Sequence, residues 1–134
     1  MTSLVEILGR VVTTLQQWSF CHEVHVLETR QFSSRQLALK VRAELVSGQT
    51  LQVRLYINEN HIDYAYQLFA EDTPLLRWDN KEHFPTLATY PHHFHSLSGH
   101  VQVSPLVGRP EHDLPLVIEY ITSQTIDPKG FQDL

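Results

Sequence analysis

From residue 36 to residue 79 apolar and polar side chains alternate through four successive segments separated by short polar turns. A period of two fits strands with one dry and one wet face, and it does not fit a helix. Residues 36–46 put Leu37, Leu39, Val41, Ala43 and Leu45 on one side, with Gln36, Lys40, Arg42 and Glu44 on the other. Ser47-Gly48-Gln49-Thr50 makes a turn, after which Leu51, Val53, Leu55 and Ile57 face inward again. Beyond the break at Glu59-Asn60-His61, Ile62, Tyr64, Tyr66 and Leu68 oppose Asp63, Ala65, Gln67 and Phe69. Glu71-Asp72-Thr73-Pro74 then turns the chain into a strand over 75–79. Connections this short make sequence neighbours antiparallel neighbours in space. With a further alternating segment at 21–29, the pattern predicts a meander of about five strands.

The flanks read differently. Over residues 3–18, Leu4, Ile7, Leu8, Val11, Val12 and Leu15 follow the spacing of one buried helix face, with Ser3 as N-cap and Glu6 completing a capping box. A second helix is expected over 113–124, capped by Asp113, with Pro115 in its first turn and Leu114, Val117, Ile118 and Ile121 buried. Asp127-Pro128-Lys129-Gly130 is expected to end it. The fold class is therefore α+β, with residues 1–134 as one domain. An N-terminal helix precedes the sheet, and the C-terminal helix packs on one sheet face. The polar face stays open for function.

An apolar fraction of 42% and a charged fraction of 19% in 134 residues describe a water-soluble globular chain. No apolar run approaches the ~20 residues of a membrane-spanning helix. The segment MTSLVEILGR lacks the basic start of a signal peptide. Cys21 is the single cysteine, which rules out an internal disulfide and fits a reducing, cytoplasmic setting; a buried small hydrophobe is its expected role. The net charge of −5 is unevenly spread. Arg30, Arg35, Lys40, Arg42 and Arg54 stand against Glu44 alone, so that segment carries +4 and the remainder −9. Lys40, Arg42 and Arg54 are candidate phosphate contacts, and Tyr56 is a candidate surface for base stacking. A solvated outer sheet face is the plain alternative.

Residues 80–110 lack periodicity and hold Pro85, Pro91, Pro105 and Pro110, with one short edge strand expected near 100–104. A long irregular stretch in a compact domain is often functional. This one carries His83, His92, His93, His95 and His100, five of nine histidines. On extended backbone His93 and His95 share a side and His92 faces away. With Asp79 or His83 nearby, the two imidazoles could hold a divalent metal. Without metal, the same groups could move protons at a phosphodiester while Arg77 neutralises an oxygen. Asp79 could orient a ring. Against these stand structural readings: Arg77 paired with Asp79, Asn80 capping a turn, Trp78 in the core, and histidines as solvated spacers.

Tyr64-Ala65-Tyr66-Gln67, Leu76-Arg77-Trp78-Asp79-Asn80 and Tyr90-Pro91-His92-His93-Phe94-His95, in that order, resemble the TumE family of toxins from bacterial and archaeal toxin–antitoxin modules. The resemblance is clearest over residues 60–125. It departs after Asp79-Asn80, where the family continues with Pro-His-His and this chain has Lys81-Glu82-His83-Phe84-Pro85. The resemblance implies a toxin restrained by a helix-turn-helix antitoxin, with Arg77, Asp79, His92, His93 and His95 as the active-site set. An RNA target, with ribonuclease-like chemistry and no obligatory cofactor, is the leading expectation. A non-enzymatic protein that binds its antitoxin or a cellular target remains open, as does a metal-dependent hydrolase using the His93/His95 region. Nothing in the residues fixes the oligomeric state.

Overall fold

A computed structural model describes residues 3–124. Helix α1 (Leu4–Gln16) leads into β1 (Cys21–Ser33), β2 (Gln36–Leu45), β3 (Gln49–Asn58), β4 (His61–Ala70), β5 (Thr73–Asp79), β6 (His93–His95) and β7 (Val101–Val103), and α2 (Pro110–Gln124) follows. The strands form one antiparallel sheet in the order β1-β2-β3-β4-β5-β6-β7, a meander throughout. β7 falls on the edge strand expected near 100–104, and β6 is one strand beyond the expectation. β6 spans three residues, too few to display a period, and lies among the prolines that hid it. The stop expected at Asp127-Pro128-Lys129-Gly130 lies outside the described residues.

The register follows the alternation. Leu39 pairs with Leu55 and Leu55 with Tyr64, Val53 with Tyr66, Tyr66 with Trp78, and Trp78 with Phe94. These side chains are buried on one sheet face with Ile7, Val11 and Leu15 of α1 and Leu114, Val117 and Ile121 of α2. Both helices therefore cover the same face. The Trp18 indole N–H donates to Thr122 Oγ1 at 2.9 Å, tying the end of α1 to α2. Truncating a fully buried leucine here, such as Leu55, costs about 2–5 kcal/mol through lost transfer energy and the cavity left behind.

Ser3 caps α1 as the sequence predicts, its hydroxyl accepting from the Glu6 amide at 3.1 Å. The start of α2 differs from the sequence expectation. It begins at Pro110, whose missing N–H is harmless in a first turn, and Asp113 lies inside the helix. The fully buried Asp113 carboxylate accepts the amides of Val107, Gly108 and Arg109 at 2.9, 2.8 and 3.1 Å. It thus secures the turn before the helix instead of capping from outside. Pro115 consequently falls beyond the first turn and leaves the Glu111 carbonyl without its helical donor.

Candidate functional site

The open face is set by the same register. Arg42 pairs with Gln52, Gln52 with Gln67, Gln67 with Arg77, and Arg77 with His95, so five polar residues cross the sheet in one row. The next row runs Lys40, Arg54, Ala65, Asp79 and His93. Both rows lie opposite the helices. Arg42 Nε donates to Gln52 Oε1 at 2.9 Å, and its guanidinium sits 5.7 Å from the centre of the Phe69 ring. Tyr56 is exposed on the same face, in edge contact with Phe32.

At the β5–β6 end the two rows close into a corner. Asp79 is buried, yet three groups hold its carboxylate. Arg77 Nε donates to Oδ2 at 2.6 Å, the Lys81 amide donates to Oδ1 at 2.9 Å, and His93 Nε2 stands 3.0 Å from Oδ1. Arg77 is fixed a second time by Nη1, which donates to Gln67 Oε1 at 3.2 Å. His95 Nε2 lies 3.8 Å from Asp79 Oδ2. Phe84, from the loop 80–92, covers the corner with its ring centre 4.8 Å from that of His93 and 6.0 Å from that of His95.

The two imidazoles differ in access. The His93 side chain is 2% exposed, and its Nδ1 faces the Pro91 carbonyl at 3.1 Å. A carbonyl only accepts, so Nδ1 carries a hydrogen and Nε2 is the nitrogen turned to Asp79. His95 is 34% exposed and meets solvent. Burial lowers its proton affinity and the nearby Asp79 only partly offsets this, so the ring favours the neutral form.

The remaining candidates lie elsewhere. His92 stacks on Tyr64 on the helix side of the sheet, with Nδ1 2.8 Å from the Tyr64 hydroxyl, and burial lowers its proton affinity. His83 and His100 are exposed; the first contacts Phe84 and the second Ser98. Asn80 links strands: its Oδ1 accepts from the Tyr64 amide at 3.1 Å and its Nδ2 donates to the Ile62 carbonyl at 2.9 Å. Trp78 is core, stacked on Phe94. Cys21 is half-buried with its thiol pushed up by burial, the opposite of an activated nucleophile. Two residues of the corner escaped the sequence reading. Gln67 carried a signal as the last residue of the Tyr64-Ala65-Tyr66-Gln67 run, whereas Phe84 sits in an aperiodic loop and carried none.

A family model described as Toxin TumE matches residues 14–125, most of the chain and all of the corner just described. The chain belongs to the TumE toxin family. Comparisons with curated proteins and with solved structures return no match. Membership in the TumE family implies a toxin with an antitoxin partner. No helix among the described residues is long and apolar enough to cross a membrane.

Proposed function

We propose that this TumE-family toxin acts in the cytoplasm on single-stranded RNA and breaks a phosphodiester at the corner formed by Arg77, Asp79, His93 and His95. The observation that carries the reading is the meeting of a guanidinium, a buried carboxylate and two imidazoles at one end of the sheet face that also carries Lys40, Arg42 and Arg54. Arg77 is held at Nε and Nη1, which leaves Nη2 to meet a phosphate oxygen as charge builds there. The 2′-hydroxyl attacks phosphorus and gives its proton to the histidine corner. The P–O5′ bond breaks, and the 5′-oxygen takes a proton from water, leaving a 2′,3′-cyclic phosphate. His93 is too enclosed to meet substrate and acts as a positioning residue for Asp79. His92, locked to Tyr64, fixes the chain where it enters β6.

Lys40, Arg42 and Arg54 hold the strand's phosphates, and Tyr56 offers a ring for a base. From β2 to β6 is four strand spacings, about 19 Å, so a short extended strand crossing the sheet contacts both ends. The antitoxin, of helix-turn-helix type, restrains the toxin.

The test is cleavage of a single-stranded RNA by purified protein, beside the same oligonucleotide with 2′-deoxyribose throughout. Cleavage of the RNA alone, lost in His95→Ala with the fold intact, supports the reading. Growth arrest that persists after His93 and His95 are both replaced, with no RNA cleaved, sinks it in favour of a toxin that acts by binding.

A further inference from the structure

We propose that Asp79, His93 and His95 form a site for one zinc-like divalent cation. The proposal deepens the RNA reading and rests on it for the cation's role, though not for its existence. The candidate ligand atoms, one from each residue, all lie within 4.8 Å of one another. Nitrogen and oxygen ligands about 2.0–2.2 Å from a tetrahedral zinc stand about 3.3–3.5 Å apart. His93 Nε2 lies 3.0 Å from Asp79 Oδ1 and His95 Nε2 lies 3.8 Å from Oδ2, so each imidazole stands near that separation from one oxygen of the same carboxylate.

The hydrogen-bond arrangement around His93 points the same way. With Nδ1–H given to the Pro91 carbonyl, Nε2 is the ring nitrogen turned to a carboxylate oxygen at 3.0 Å. Two acceptors facing each other in a buried site repel unless a proton or a cation lies between them. A proton there would satisfy His93 and Asp79 alone, whereas a cation would also engage His95, whose Nε2 lies 3.8 Å from the same carboxylate. A cation accounts for all three residues.

The surroundings match what a metal centre requires. A ligating histidine gives its other N–H to a carbonyl or carboxylate, as His93 does to Pro91. The ligating carboxylate is held from outside, here by Arg77 and the Lys81 amide. Phe84 supplies an apolar cover over both rings. Three protein ligands with the third at the solvent rim leave an open position, the arrangement of catalytic rather than structural zinc. A hydroxide in that position would take the 2′-hydroxyl proton and become bound water. Arg77 beside a dication makes the corner strongly cationic, which an anionic phosphodiester balances. The second group of donors, Glu23, His25 and Glu44, lies on the exposed surface and is already joined as surface ion pairs. It lacks any such support.

The experiment titrates chelator-stripped protein with zinc by calorimetry and with cobalt by visible absorption. One ion per chain, and cobalt bands of four-coordinate intensity, are expected. His95→Ala should weaken zinc affinity by about a hundredfold or more, above the ~10–100-fold typical of losing an outer partner. His83→Ala and His100→Ala should leave affinity unchanged. His95 is the test position because its partial exposure spares the fold, and circular dichroism checks that. Absence of saturable binding, or equal affinity in His95→Ala, overturns the site. RNA cleaved at full rate by stripped protein also overturns the cation's role while the RNA reading stands. A zinc-loaded protein that binds one ion and leaves RNA intact supports the site and overturns the RNA reading.

Discussion

His93 and Asp79 are direct cross-strand partners on β6 and β5, and their side chains meet 3.0 Å apart in a pocket sealed from solvent. The neighbouring pair, His95 and Arg77, is likewise in register and stays partly open. One ladder therefore builds an inner pair sealed from solvent and an outer pair that meets it.

This inner and outer division separates two phenotypes. His93→Ala removes a ring from a sealed site and leaves Asp79 with Arg77 and the Lys81 amide, so it should cost about 2–3 kcal/mol. His95→Ala opens a position already at the rim and should cost less than about 1 kcal/mol while abolishing toxicity. Urea unfolding of both variants beside growth arrest on induction checks the split. Equal destabilisation by the two would contradict it.

Arg77→Lys keeps the charge and loses the fork. An ammonium cannot hold Asp79 and Gln67 and still present a third donor in a fixed plane. RNA cleavage should fall by about a hundredfold, the scale of losing one donor to a developing oxyanion. Single-turnover rates at saturating RNA isolate this from binding; a rate within a few-fold of wild type would remove Arg77 from the reaction.

Arg42→Gln and Arg54→Gln act at a distance from the corner. Each should weaken RNA affinity and reduce the slope of log affinity against log salt by about 0.7, the value for one phosphate contact on a single strand. Fluorescence anisotropy over a salt series measures both quantities. An unchanged slope would mean that the cationic face is only a solvated surface.

Asp113→Ala tests the fold and not the site. It deprives three backbone amides of their acceptor in a buried turn, a loss of about 3 kcal/mol and a fall in melting temperature on the order of 10 °C. At low temperature the corner, on other elements, should remain active. A melting curve matching wild type would show that water replaces the carboxylate.

The TumE-family assignment, the strands β2 to β5 and α1 were legible because each rests on local patterns. Alternation from Leu37 to Trp78 states which side chains are dry, the Ser3–Glu6 box states where a helix begins, and the Arg-Trp-Asp-Asn and Pro-His-His-x-His runs state the family. Spacing by two also placed His93 and His95 on one side with His92 opposite. The start of α2 was misread because Asp113 resembles a cap in sequence, and only the backbone shows its carboxylate reaching back to residues 107–109.

What the sequence could not decide is which histidines converge. Five imidazoles lie between residues 83 and 100, equal in local chemistry, and only pairing β5 with β6 selects His93 and His95 for Asp79. That pairing spans a loop from 80 to 92 with no period of its own, and its closure depends on Phe94 stacking on Trp78 across the ladder. Local residue types determined the strands and the inventory of reactive groups. Long-range register decided the site, because the contact between Asp79 and His93 exists only once the core on the opposite face has set both strands in place.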